Sequence, residues 1–162
     1  MRPMDGTFGA ALAVTRESIA MFRDALRGLP DEAMAWTPAA GMNPLSVLAA
    51  HSCSSLRFFM GCAAGQVSSL QAYREGPRAA SFAETGWNTE RALEELDRLE
   101  GDVKTLLAEA PAAALDSIIG WPEDPSLVMT GAGALFRSVA HLREHAGHAQ
   151  VMRDLWLASH PG

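Results

Sequence analysis

The segment Gly133–Ala158 reads GALFRSVAHLREHAGHAQVMRDLWLA. Its apolar residues recur at helical spacing and no proline interrupts it, so it is expected to form one long helix. At about 100° per residue, with His141 set to zero, His145 falls at about 40°, His148 at about 340° and Glu144 at about 300°. Ala134, Met152 and Trp156 extend this stripe above and below. Leu135, Val139, Leu142 and Ala146 form an apolar flank beside it. The histidines therefore sit on a face continuous with the one the helix is expected to bury.

Three more segments have helical patterning. The first runs roughly from Thr7 to Arg27, with Leu12, Ile19, Phe22 and Leu26 near a helical period, and Gly28 and Pro30 stop it. A connector follows from Pro30 to Met42. The second helix is expected to start at Asn43-Pro44, with Asn43 as N-cap and Pro44 in the first helical position, and to end near Ala64 and Gly65. Its only formal charge is Arg57, so it should be the most buried. Gln66–Gly86 reads as an irregular connection or a short helix plus loop. The third helix, from Asn88 to Ala110, places Leu93, Leu96, Leu99, Val103, Leu106 and Leu107 on one side and charged residues on the other. Ala112–Thr130 contains Gly120, Pro122 and Pro125 and reads as a loop crossing one end. Four such helices imply an all-α, four-helix bundle in one domain spanning residues 1–162. The second and third connections are long enough to cross over.

Composition narrows the function. The 162 residues carry 13 Lys and Arg against 19 Asp and Glu, a formal charge of −6. An acidic chain without basic clusters argues against a nucleic-acid partner. No apolar run approaches the roughly 20 residues of a membrane span. The start of the chain does not read as a signal peptide, which makes a cytoplasmic location the default expectation. Cys53 and Cys62 form neither a CxxC motif nor a disulfide framework and read as small buried hydrophobes.

Four of the five histidines lie in expected helices. His51 falls within the apolar stripe of the second helix, His141, His145 and His148 lie in the last, and His160 lies in the tail, where it reads as exposed and inert. Histidines at i and i+4 project from one face, and one more from a facing helix completes a three-nitrogen set. Such a set suits zinc, nickel, copper or iron and leaves coordination positions open. The plain alternative is that each histidine is a hydrogen-bonded core or surface group. His148 stays open between a fourth ligand, a hydrogen-bond donor to a ligand and an acid–base group. Glu144 stays open between orienting a ligand imidazole and pairing with Arg143 or Arg137.

The chain resembles the DinB-like superfamily, which includes thiol-dependent S-transferases and maleylpyruvate isomerases. The resemblance rests on three pieces in order. Leu29–Pro38 resembles that family's connector after helix one. Asn43–His51 resembles the start of its second helix, ending on the ligand histidine. His141–His148 resembles its HxxxHxG signature. The resemblance implies a four-helix bundle, usually dimeric, with a metal held by His51, His141 and His145. Gly147 sets this register, and His148 stands where many members have Gln. The pair Glu144 and His148, similar to the Glu-His pair of some mycothiol-dependent members, is the second choice.

The expected function is therefore that of a divalent-metal-dependent enzyme, with zinc or nickel in the mouth of the bundle. The resemblance implies a low-molecular-weight thiol as cofactor, used in S-transfer or isomerisation of a small-molecule substrate. Hydrolysis by a metal-bound hydroxide is the variant within this class. His148 and Glu144 are the candidate catalytic proton carriers, and Trp36 or Trp121 would line the pocket. The partner implied is a second copy of the chain, with Leu70 and Phe82 as exposed apolar residues. The competing reading is a non-catalytic bundle, either metal-stabilised in a stress response or binding a small ligand. A plain helical module without metal would keep His51 far from His141 and His145.

Overall fold

The computed structural model describes residues 4–161. Four long helices form the bundle: α1 (Gly6–Leu26), α3 (Leu45–Ala63), α6 (Thr89–Glu109) and α7 (Gly131–Ser159). Between them lie α2 (Asp31–Ala35), α4 (Leu70–Tyr73), α5 (Ala79–Phe82) and a β-hairpin of β1 (Ile118–Trp121) and β2 (Asp124–Thr130).

Local chemistry sets the helix ends. The Asp5 side chain accepts from Thr7 N at α1, and the Asn88 side chain accepts from Arg91 N at α6. α1 stops at Gly28, whose φ of 77° suits glycine. Arg153 from α7 then donates to the carbonyls of Asp24, Ala25 and Arg27, which the helix end leaves without partners. α3 closes on Gly65 (φ 88°), with Gln66 N donating to Gly61 O and Gly65 N to Cys62 O. The expected N-cap of α3 shifts by one residue. Pro44 O accepts the first helical bond, from Leu48 N at 3.0 Å, so Pro44 is the cap and Asn43 lies outside.

α1 packs against α6 and α7, and α3 packs against the same two. The first and last connections therefore run diagonally across the bundle. Of the second and third, which were expected to cross, the third does, and the first crosses as well. The second does not cross, because α5 and the turn before it pack along α3. α3 is buried along its length except at Ser54 and Arg57, as its composition requires. From α6, Leu96, Leu99 and Leu107 are fully buried, each contributing about 1.5–3 kcal/mol relative to exposure. Both cysteines are buried and free, and burial pushes the Cys53 thiol up to about 12.

Two connections hold more structure than expected. From Leu70 to Phe82 the chain is helical throughout, with a π-turn at Arg74–Arg78. Pro77 lies in this turn and lacks the N–H that a regular α-helix would use. Ala112–Thr130 is not a loop: a 3-10 turn (Ala112–Asp116) leads into the antiparallel hairpin, with Ile119 opposite Met129 and Gly120 opposite Val128. Leu70, read as exposed, is buried beneath this region, while Phe82 stays 37% exposed.

Candidate metal centre

α3 and α7 pack against each other and supply the histidines. His51 lies in the first half of α3 and is only 8% exposed. His141 and His145 lie one turn apart on α7 and are half-buried. His141 Nε2 is 3.3 Å from His51 Nε2 and 3.2 Å from His145 Nε2. One ring nitrogen from each histidine lies within 4.8 Å of the others. Among the described residues this is the one such group of three or more His, Cys, Asp or Glu. The rings stand nearly edge to face, at 74°, 79° and 89°. Phe82 from α5 tilts over His51, with ring centroids 4.4 Å apart.

The donor set fits a small divalent cation. Zinc–imidazole bonds of about 2.0–2.1 Å in a tetrahedral site put neighbouring nitrogens about 3.3 Å apart, close to the 3.3 and 3.2 Å separations here. Hydrogen bonding alone serves the cluster less well. A neutral imidazole offers one N–H and one lone pair, and here the Nε2 atoms of two rings press on a third. Burial pushes the pKa of all three histidines down, His51 and His145 to about 4 with further lowering from neighbouring charges, while at His141 the Glu144 charge works against burial. All three are thus neutral near pH 7, the form that binds metals. One feature departs from common metal sites: His51 Nδ1 is buried without a hydrogen-bond partner.

The other candidates fall around this cluster. His148 is partly buried, is not one of the three clustered histidines, and acts on His145 through its charge. Glu144 is exposed, and its charge acts on His141 in the raising direction. The expected Glu144 pairings do not form among the described residues. Arg143 approaches Glu17 at 3.9 Å, and Arg137 lies over the Phe59 ring. Neither expected pocket tryptophan is at the centre. Trp36 packs edge-on against Trp156, and Trp121 stacks with Phe58 and donates to Ser68 O at 2.9 Å. His160 is exposed but not idle in packing: it stacks on Trp156 with centroids 3.6 Å apart. Phe82 is the contact that sequence reasoning missed, because only the packing of α5 against α3 brings it to His51.

A sequence profile of the DinB superfamily matches residues 15–149, a span that includes all three clustered histidines. The chain belongs to the DinB superfamily. A similar fold is seen in a solved structure, described as a conserved protein of locus from Enterococcus faecalis, with a TM-score of 0.74. That match covers 96% of this chain and 99% of the other at 14% identity, so the likeness concerns the fold. No curated protein matches the chain significantly. Among the described residues, no helix of this DinB-superfamily protein is long and apolar enough to cross a membrane.

Proposed function

We propose that this DinB-superfamily protein is a divalent-metal-dependent enzyme acting on a small molecule, with the ion held by His51, His141 and His145. The convergence of three neutral imidazoles, with Nε2 atoms 3.2 and 3.3 Å apart, carries this reading. Three protein ligands favour an open, catalytic site over a closed structural one, which would need a fourth. Bound there, zinc or nickel would supply a Lewis acid able to hold a thiol as thiolate.

The thiol reading, S-transfer or isomerisation with a low-molecular-weight thiol, rests on the family resemblance. In it the three histidines fix the reacting group at the α3–α7 seam, and Phe82 keeps water from one face of His51. His148, one turn beyond His145, and Glu144, at the solvent edge, carry protons to and from the substrate. A homodimer in the cytoplasm completes the proposal.

Elemental analysis of protein purified without an affinity tag tests the site. We expect about one zinc or nickel per chain in the wild type and none in His145→Ala, read against the one-ion three-histidine stoichiometry. Absence of metal even after adding back zinc and nickel overturns the metalloenzyme reading. If metal is bound, screening thiols with electrophilic substrates tests the chemistry, and His148→Gln should lower kcat while leaving the metal in place.

A further inference from the structure

A cavity of about 630 Å³ lies between α3, the α4–α5 segment and the first half of α6. None of the three clustered histidines lines it. α5 faces both regions. Ala80 and Ser81 line the cavity, while Phe82 lies against His51. The size falls within the roughly 300–1,000 Å³ of small-molecule sites.

The lining defines what would fit. Phe58 and Tyr73 stack 4.1 Å apart on one wall, and Trp87 forms another. Flat aromatic walls favour a flat apolar ligand. Both cationic groups at the cavity are already matched, while Glu84 accepts from Gly86 N and is in no ion pair among the described residues. Glu95, 9% exposed, is held by Arg91 at 2.8 Å and by Arg98, while Arg57 pairs with Asp102 at 3.0 Å. The lining residues Arg57, Arg91, Glu84 and Glu95 sum to zero charge. An anionic ligand would have to displace a partner already in place or be buried unpaired. Ser54 lends other atoms to the lining, while its Oγ is buried and has no hydrogen-bond partner.

We propose that this cavity is a second small-molecule site, separate from the histidine cluster, for a molecule with a flat aromatic body and no negative charge. It stands whether or not the histidines hold a metal.

The test is calorimetric titration of the full chain with 2-naphthol and with naphthalene-2-sulfonate, which share a ring system but differ in charge. One equivalent of 2-naphthol should bind, and the sulfonate should bind at least roughly tenfold more weakly, because its charge would be buried without a free partner. Ala80→Trp fills the cavity from an exposed position and should abolish binding. His145→Ala should leave it unchanged. Ala72→Trp, on another exposed wall, serves if Ala80→Trp does not fold. No binding by the wild type, equal binding of the sulfonate, or loss in His145→Ala with retention in both tryptophan variants would each overturn the proposal.

Discussion

At the scale of single residues, burial decides the protonation of the histidine cluster. His51 and His145 are pushed down to about 4, chiefly by desolvation, from an ordinary value of 6.5. The unfolded chain therefore binds more protons than the folded one between those two values. Stability from these groups is intact above about pH 6.5, falls as pH drops, and stops falling once the folded histidines protonate at about pH 4. In chelator, the urea midpoint of the metal-free protein should decline across this window, and a His51→Gln, His145→Gln double variant should decline less. Equal slopes in the two proteins would refute the assignment. The histidines were legible in the sequence because helical spacing alone puts His141 and His145 on one face of a helix. The Nε2 convergence was not, since it depends on the α3–α7 packing angle. The same limit hid the partnerless Ser54 hydroxyl and the contact of Phe82 with His51.

At the scale of elements, close backbone approach makes the hairpin matter. Gly131, the first residue of α7, donates its N–H to Ser117 O at 2.9 Å. A Cβ there would lie 1.9 Å from Ala114 O and 2.8 Å from Ala114 C, both backbone atoms of the 3-10 turn. Gly131→Ala should therefore cost about 3 kcal/mol in urea unfolding, at the upper end of overpacking effects. Gly101→Ala in α6 faces open space and should instead stabilise by up to about 1 kcal/mol from helix propensity. Similar effects from both would show that the turn yields to the added methyl. The four long helices were readable from apolar periodicity and from stops such as Gly28 and Pro111. The hairpin was not, because Pro122 and Pro125 read as loop punctuation. Its strand signal was short: Ile118 and Ile119 on one side, Val128 to Thr130 on the other. Tertiary contacts complete it. Glu123 accepts from Gln71 N at 2.9 Å, Arg74 pairs with Asp124 at 2.7 Å, and Trp121 packs on Phe58. The hairpin thereby anchors the helical segment whose far end places Phe82 on His51.

At the scale of the whole molecule, the proposed ion would join α3 to α7 across 90 residues of sequence. Each of these helices also packs against α6 or α1, so the ligands span the bundle rather than one local motif. An ion bound only by the folded bundle stabilises it by mass action, about 2.7 kcal/mol at a free concentration 100 times Kd. For a chain of this length about 1 kcal/mol moves Tm by roughly 2–4 °C, so saturating zinc or nickel should raise Tm by about 5–11 °C. The rise should grow with the logarithm of metal concentration, vanish in His51→Ala and His145→Ala, and reverse with chelator. Because the ligands sit on helices that share one core, the unfolding transition should move as a unit. A metal-dependent rise that survives both substitutions would place the ion elsewhere on the protein. A transition that splits in two would mean that the α3–α7 seam melts apart from the rest of the bundle.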